Sequence, residues 1–269
     1  EGTSARIGGG NYGLFSGNIS HFQKLNDRLG VSVSAYYKED DGYFTNQYTG
    51  NKVDGSKTSG ARIKLSYQIT PQLTAAYSLS YDYVDQGAFP YADIETNQIN
   101  YNSEGYYKRN LVTNGLSLHY QGKGYEINST TGYQYLSDRM NMDQDYTPLS
   151  MFQINQRQIE NSISQEITIK SDNNSDYQWS NGVYGFYDYL HTTSPVYMMH
   201  DGIQSYLQAP LDAAHAGNPF VPEIKFTDNQ LDLNSKFKRP IYGAAIFHQS
   251  TFNNILDTKG LSLTFGIRL

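Results

Sequence analysis

Residues 61–84 read ARIKLSYQITPQLTAAYSLSYDYV, and this stretch decides the fold. Its odd-numbered positions are apolar or aromatic, as in Ile63, Leu65 and Leu79. Its even-numbered positions are polar or charged, apart from Ala76 and Val84. Successive side chains of a β-strand emerge on opposite faces, so the alternation predicts two strands with one apolar and one polar face. The Thr-Pro-Gln triplet at 70–72 predicts the turn between them.

Period-two alternation recurs along almost the whole chain, whereas helical stripes are rare. Tyr, Thr and Val are also residues that favour strands. The pattern predicts about eleven strands, at residues 2–10, 13–24, 30–41, 58–69, 73–85, 107–121, 124–136, 157–170, 177–190, 239–252 and 260–269.

The predicted connections alternate between short and long. Short ones fall at 25–29, 70–72, 121–123, 171–176 and 253–259, and long ones at 42–57, 86–106, 137–156 and 191–238. A further connection near 11–12 is tight. In an up-and-down antiparallel sheet, this rhythm gathers the short turns at one rim and the long loops at the other, as in outer-membrane barrels.

Strand length points to the same class. About 12 residues at roughly 3.3 Å each give about 40 Å, and a tilt of about 40–45° reduces this to about 28–30 Å, near the thickness of a bilayer's hydrocarbon core. Strand-end aromatics such as Tyr36, Tyr37 and Trp179 suit interfacial girdles. The sequence therefore predicts an all-β, antiparallel up-and-down transmembrane β-barrel. A soluble β-sandwich with one hydrated face is the alternative.

Composition narrows the function classes. The chain has 269 residues, no cysteine and a formal net charge of -6, which argues against thiolate chemistry and against nucleic-acid binding. Mean hydropathy is -0.61, yet 14% of the residues are aromatic, including 25 Tyr. No apolar run of about 18 residues is present, so we expect no transmembrane helix.

Sequence motifs for catalysis or metal binding are weak. The six histidines form no HExxH pattern, and no GxSxG occurs. The stretch YMMHDG at 197–202 has soft ligand types for haem iron or copper, but incidental placement in a long loop is the simpler reading. We therefore expect no catalytic residue, no cofactor and no metal site, and a protein that is not an enzyme.

Several stretches resemble one family, the TonB-dependent outer-membrane receptors of the siderophore-receptor type. DGYFTNQYTGNKVD at 41–54 is similar to a stretch that follows an early barrel strand of that family, and LSLTFGIRL at 261–269 is similar to a later strand. The segment 164–187 matches the family's QE…S…W…G.Y pattern through Gln165, Glu166, Ser171, Trp179, Gly182 and Tyr184. The resemblance covers nearly the whole chain.

The resemblance implies a 22-stranded barrel around an N-terminal plug. On that basis residues 1–269 are expected to be a partial barrel domain, its first half, with the plug domain absent from this chain. It also implies a bacterial outer-membrane location, a monomer, and three partners: a ferric siderophore or similar scarce ligand, TonB through the plug segment, and outer-membrane lipid.

Aromatic and polar residues of the predicted loops are the ligand-binding candidates, because siderophores are bulky, polar and often aromatic. They are Phe89, Tyr91, Tyr101, Tyr106, Arg109, Tyr197, His200 and Tyr206, with Tyr107, Tyr146 and Phe152 as further members. Three other functions stay open: a passive porin, an outer-membrane enzyme, and a soluble β-rich adhesin or binding module.

Overall fold

The computed structural model describes residues 1–172, 175–218 and 220–269. Thirteen strands form one sheet: β1 Gly2–Gly9, β2 Phe15–Asn26, β3 Leu29–Asp40, β4 Ser56–Gln68, β5 Leu73–Gly87, β6 Tyr106–Gln121, β7 Tyr125–Asp143, β8 Phe152–Ser171, β9 Tyr177–Thr193, β10 Val196–Met199, β11 Gln230–Leu233, β12 Lys236–Phe252 and β13 Leu263–Arg268.

The sheet is antiparallel and runs up and down. Strands β1 to β9 follow one another as neighbours, β12 then pairs with β9, and β13 pairs with β12. Strand β10 pairs with the loop end of β8, and β11 pairs with β10. The predicted fold class and the predicted strand order are confirmed. The middle of the predicted turn at 171–176 lies outside the described residues.

Within the described residues, helix is confined to the long connection between β9 and β12, apart from a 3-10 turn at Ile255–Asp257. There α1 (His200–Ile203), a π-helical turn (Gln204–Gln208) and α2 (Ala209–Gly217) follow one another. Among the described helices, none has the length and hydrophobicity needed to cross a membrane.

Two predicted loops were wrong in extent. The loop predicted at 137–156 shrinks to 144–151, because β7 and β8 stay paired up to Asp143 and Gln153. The apolar residues of 137–143, Met140 and Met142, are on even positions, whereas Tyr133 and Tyr135 are on odd ones, yet the backbone groups continue the ladder. The loop predicted at 191–238 contains β10, β11 and the helical segment, since short paired stretches there carry no long periodic pattern.

The cross-strand register keeps residues of like character in rows. One row contains Val33, Ile63, Leu79, Asn114, Tyr133, Ile163, Tyr187 and Tyr242. The adjacent row, on the other face, contains Ser34, Arg62, Ser80, Thr113, Gln134, Ser162, Asp188 and Ile241. We call the two sides the apolar face and the polar face. The two-faced character inferred from 61–84 therefore extends across the sheet.

No second layer packs on the apolar face within the part of the chain that the structure describes. Ile63 and Tyr81 on that face are 40% and 43% exposed. A soluble sandwich would bury such side chains between two sheets about 10 Å apart. Their exposure supports contact with a surrounding apolar medium.

Three asparagines on the apolar face are paired with tyrosines. Tyr77 Oη donates to Asn114 Oδ1 at 2.7 Å, and Tyr81 Oη donates to Asn110 Oδ1 at 2.7 Å. Tyr133 Oη donates to Asn161 Oδ1 at 2.9 Å. In each pair the two residues are diagonal neighbours on adjacent strands. An amide in an apolar medium is costly without such a partner.

Aromatic rings gather near the short turns. Tyr177 and Phe252 have ring centroids 4.8 Å apart, and Phe252 stacks on Phe265 at 6.0 Å. The girdle prediction was wrong for Tyr36, because Tyr36 lies in register with Gly60 and Asp82 on the polar face. Its hydroxyl donates to Asp82 Oδ1 at 2.7 Å.

A charge on the apolar face should be penalised more than a charge on the polar face. We expect Ile63→Arg to lower the free energy of unfolding from a bilayer by about 2–4 kcal/mol, because the guanidinium would face hydrocarbon. The measurement is a urea titration of the whole protein in lipid vesicles. Ser66→Arg, on the polar face of the same strand, is the control. Equal losses for the two variants would contradict the assignment of faces.

Candidate functional site

Four connections gather at one end of the sheet, as the up-and-down order requires. They are residues 41–55, 88–105, 144–151 and 194–235. We call this end the loop rim. The β1–β2 connection also lies there but is tight, with Gly10 N–H donating to the Leu14 carbonyl at 2.9 Å.

Three of the rim loops share a small apolar core. Val53, Ile99 and Tyr101 are buried together, and Tyr146 packs against them. Val53 lies on the 41–55 loop, Ile99 and Tyr101 lie on the 88–105 loop, and Tyr146 lies on the 144–151 loop. The loops therefore support one another instead of moving independently.

Asn46 connects the first two loops from the inside. It is fully buried, and its Nδ2 donates to the Tyr101 carbonyl at 2.8 Å. Its Oδ1 accepts from the N–H groups of Tyr48 at 3.0 Å and Tyr101 at 3.3 Å. Gln47 N–H also donates to the Ile99 carbonyl at 2.7 Å. The side chain of Asn46 thus bonds backbone groups of Tyr101, which is 55 residues further along the chain.

An aromatic series leads from this core to the surface. Tyr101 lies 6.1 Å from Tyr146, Tyr146 lies 4.5 Å from Tyr91, and Tyr91 lies 6.1 Å from Phe89, between ring centroids. Tyr101 is 1% exposed, whereas Phe89 and Tyr91 are both 54% exposed. Burial raises the pKa of Tyr101 to about 12, so this phenol stays neutral at physiological pH. Tyr101 supports the series from below, and Phe89 and Tyr91 present open ring surface.

Asp143 holds Tyr146 in this series, and Asp145 stabilises the same loop. Asp143 Oδ1 accepts from the N–H groups of Asp145 at 3.0 Å and Tyr146 at 2.9 Å. Asp145 Oδ2 accepts from the Phe152 N–H at 3.0 Å. Tyr146 has a positive φ of 52°, a conformation that such turns stabilise. Neither Asp143 nor Asp145 was among the predicted site residues, although Asp in a turn was an available signal.

A second group lies on the connection between β9 and β12. Asp201 Oδ2 accepts from the Ser150 N–H at 2.8 Å, which fixes α1 to the 144–151 loop. The Tyr206 ring lies 5.6 Å from the Phe152 ring, and His200 Nδ1 lies 3.2 Å from Asn229 Oδ1. Tyr197 is on β10, opposite Gln153 and Asp232.

Two predicted site residues lie apart from both groups. Arg109 is on the polar face, directly opposite Asp138, whose Oδ2 accepts from Tyr107 Oη at 3.1 Å. The buried Arg109 Nε and Asp138 Oδ1 have no hydrogen-bond partner within the described chain. Tyr106 falls on the opposite face, with Lys108 Nζ 5.6 Å from its ring centroid. The structure thus does not bring all eight candidates to one place.

The described residues contain no group of three or more His, Asp or Glu side chains placed to hold a metal ion. The chemistry available at the rim is aromatic stacking and hydrogen bonding. Both suit a large organic ligand better than a bare ion.

Asn46 should control the order of the rim. We expect Asn46→Ala to speed amide exchange in residues 88–105 roughly tenfold or more, because buried backbone groups of Tyr101 lose their partner. Hydrogen exchange read by mass spectrometry on the whole protein checks this. Asn51→Ala is the control, since Asn51 bonds Glu104 at 2.9 Å at an exposed position. Unchanged exchange in the Asn46 variant would refute the role given to this side chain.

No family model matches the chain, and no curated protein matches it. Solved structures do. The ferric yersiniabactin uptake receptor FyuA from Yersinia pestis has a TM-score of 0.59 at 13% identity, over 99% of this chain and 49% of that one. The siderophore receptor PiuA from Acinetobacter baumannii has a TM-score of 0.60 at 9% identity, over 99% and 45%.

The ferripyoverdine receptor of the outer membrane of Pseudomonas aeruginosa has a TM-score of 0.59 at 13% identity, over 99% of this chain and 36% of that one. The chain therefore spans less than half the length of these three structures. The identities are low, and the likeness concerns the course of the backbone. This chain has the fold of a long stretch of the β-barrel wall of outer-membrane siderophore receptors.

Proposed function

We infer that the chain is part of an outer-membrane receptor that imports a ferric siderophore, or a similarly scarce and bulky ligand, in a TonB-dependent manner. The observation that carries this is the combination of a barrel-wall fold with an aromatic loop rim at the end that bears the long connections. The chain would form part of the wall and of the ligand-capturing rim, and would catalyse no reaction.

Both edge strands of the described sheet have room for a further neighbouring strand. β1 and β13 each pair on one side only within the described residues. In hydrocarbon an unpaired backbone group costs several kcal/mol, so transmembrane sheets close into barrels. We propose that additional strands of the whole protein close this one into a barrel of about 22 strands, the size that holds a plug in its lumen. Residues 1–269 would then be a partial barrel domain.

The polar face would line the lumen. Arg62, Thr113, Gln134 and Asp188 lie in a single row of that face. A plug that fills a barrel of this size needs hydrogen-bonding partners on the wall, and the polar and charged side chains of this row would supply them.

Ligand capture would begin at the exposed rings. Phe89 and Tyr91 offer ring surface on one side of the rim, and Tyr206 is 57% exposed on the helical connection. His200 and Tyr197 lie on the same connection and add polar groups. Aromatic surface with neighbouring hydroxyl and imidazole groups suits a bulky chelate that carries both aromatic rings and polar oxygens.

Removing one exposed ring should weaken ligand binding without unfolding the protein. We expect Tyr91→Ala to raise the Kd for the cognate ferric chelate about 2- to 10-fold, the range expected for one aromatic contact. A deletion strain that carries the whole receptor is first grown on a panel of ferric chelates to identify the one imported. Binding is then titrated by fluorescence quenching.

Tyr120→Ala is the matched control, because Tyr120 is a partly exposed tyrosine at the short-turn end of the sheet. The same growth assay in a strain without TonB tests the energy source. Uptake that persists there, together with steady ion conductance in planar bilayers, would identify a passive porin and reject the proposed function.

A further inference from the structure

A row of charged residues crosses the apolar face just below the loop rim. Directly opposed residues of adjacent strands place it there: Glu39, Lys57, Asp85, Lys108, Arg139, Arg157, Thr193 and Lys236. The apolar face contacts lipid in the proposed function, so these charges require an explanation of their own.

The first half of the row is neutralised internally. Lys57 Nζ lies 3.9 Å from Glu39 Oε2, and Lys108 Nζ lies 2.9 Å from Asp85 Oδ2. These two ion pairs leave no net charge on strands β3 to β6 at this level.

The charged residues in the second half of the row are all cations. Arg139 and Arg157 are opposite each other on β7 and β8, and Lys236 follows beyond Thr193. Lys238 adds a further cation two residues along β12 on the same face. All four side chains are exposed, and none of them forms an ion pair within the described chain. We call Arg139, Arg157, Lys236 and Lys238 the basic patch.

This arrangement is unfavourable unless an anion is present. Neighbouring strands lie about 4.8 Å apart, and like charges directly opposite each other destabilise a sheet. The chain as a whole has a net charge of -6, so a surplus of positive charge is not a general property of its surface. Two arginines at directly opposed positions suit a phosphate, which accepts bidentate hydrogen bonds from arginine.

The height of the patch above the short turns fits a lipid headgroup. On β7, Ile127 lies near the short turn and Arg139 lies near the rim. The roughly 12 residues between them, at about 3.3 Å each and a tilt of about 40–45°, place Arg139 about 28–30 Å along the membrane normal from Ile127. That is the thickness of the hydrocarbon core, so the patch meets the far headgroup layer.

We propose that the basic patch binds the phosphate-bearing headgroup of a lipid in the outer leaflet. The proposal rests on the proposed function, which puts the long loops outside the cell. A lipid is favoured over the transported ligand because the patch is on the apolar face, together with Tyr135 on β7 and Tyr189 on the intervening strand β9, whereas the ligand would pass along the polar face. Clustered basic side chains at a membrane surface attract anionic lipids through the same chemistry.

The test uses the whole receptor in mild detergent and three probes: diphosphoryl lipid A, the same lipid without phosphates, and inorganic phosphate. We expect the phosphorylated lipid to bind at least about tenfold more tightly than either other probe. The dephosphorylated lipid loses the charge-assisted hydrogen bonds to two arginines, and inorganic phosphate lacks the acyl chains that contact the apolar face. The R139Q/R157Q variant should lose about tenfold or more in affinity for the phosphorylated lipid. Native mass spectrometry gives the affinities.

Lys57→Gln is the control, because Lys57 is in the same row but is paired with Glu39. The affinity of this variant for the phosphorylated lipid should stay within about twofold of the wild-type value. Heat-modifiable migration on gels reports folding, and K236Q/K238Q carries the test if the arginine variant fails to fold. Equal binding of the phosphorylated and dephosphorylated lipids, or a variant that binds like the wild type, would overturn the proposal. Chelate uptake is measured in parallel, so that failure of the transport function is seen separately from failure of lipid binding.

Discussion

The whole structure depends on hydrogen bonding between neighbouring strands in which directly opposed residues always share a face of the sheet. From β3 to β9 and on to β12, directly opposed residues keep the same face, so that Val33, Ile63 and Leu79 fall in one row. A slip of one residue would move every side chain of a strand to the other face. Because the two faces differ so strongly in polarity, the register is specified by the sequence of each strand.

The same ladder also tolerates residues that a purely apolar surface would reject. Asn110, Asn114 and Asn161 are each satisfied by a tyrosine one strand away. Above the apolar band, β7 and β8 continue as polar strands and place charges beside the rim. Local pairing thus allows the apolar face to carry polar groups where a lateral partner is available.

Alternation predicted the strands well because the two faces meet different media, and it failed where that contrast ends. The predicted loop included 137–143, where the apolar residues change from odd to even positions while the backbone still pairs. The separation of Tyr106 from Arg109 was already implied by their odd spacing. The burial of Tyr101 and the role of Asn46 were beyond sequence reasoning, since contacts between loops leave no periodic signal.

The rim has supporting residues and exposed residues, and the difference between them affects how ligand preference would change. Asn46, Tyr101 and Asp143 hold the rim loops together, so substitutions there alter all three loops at once. Phe89 and Tyr91 project from that support with about half of their surface free. A substitution at those positions changes the contact surface and leaves the supporting core intact. The strands supply position and the interlocked loops supply rigidity, so the selectivity of such a receptor would reside in a few exposed side chains at the rim.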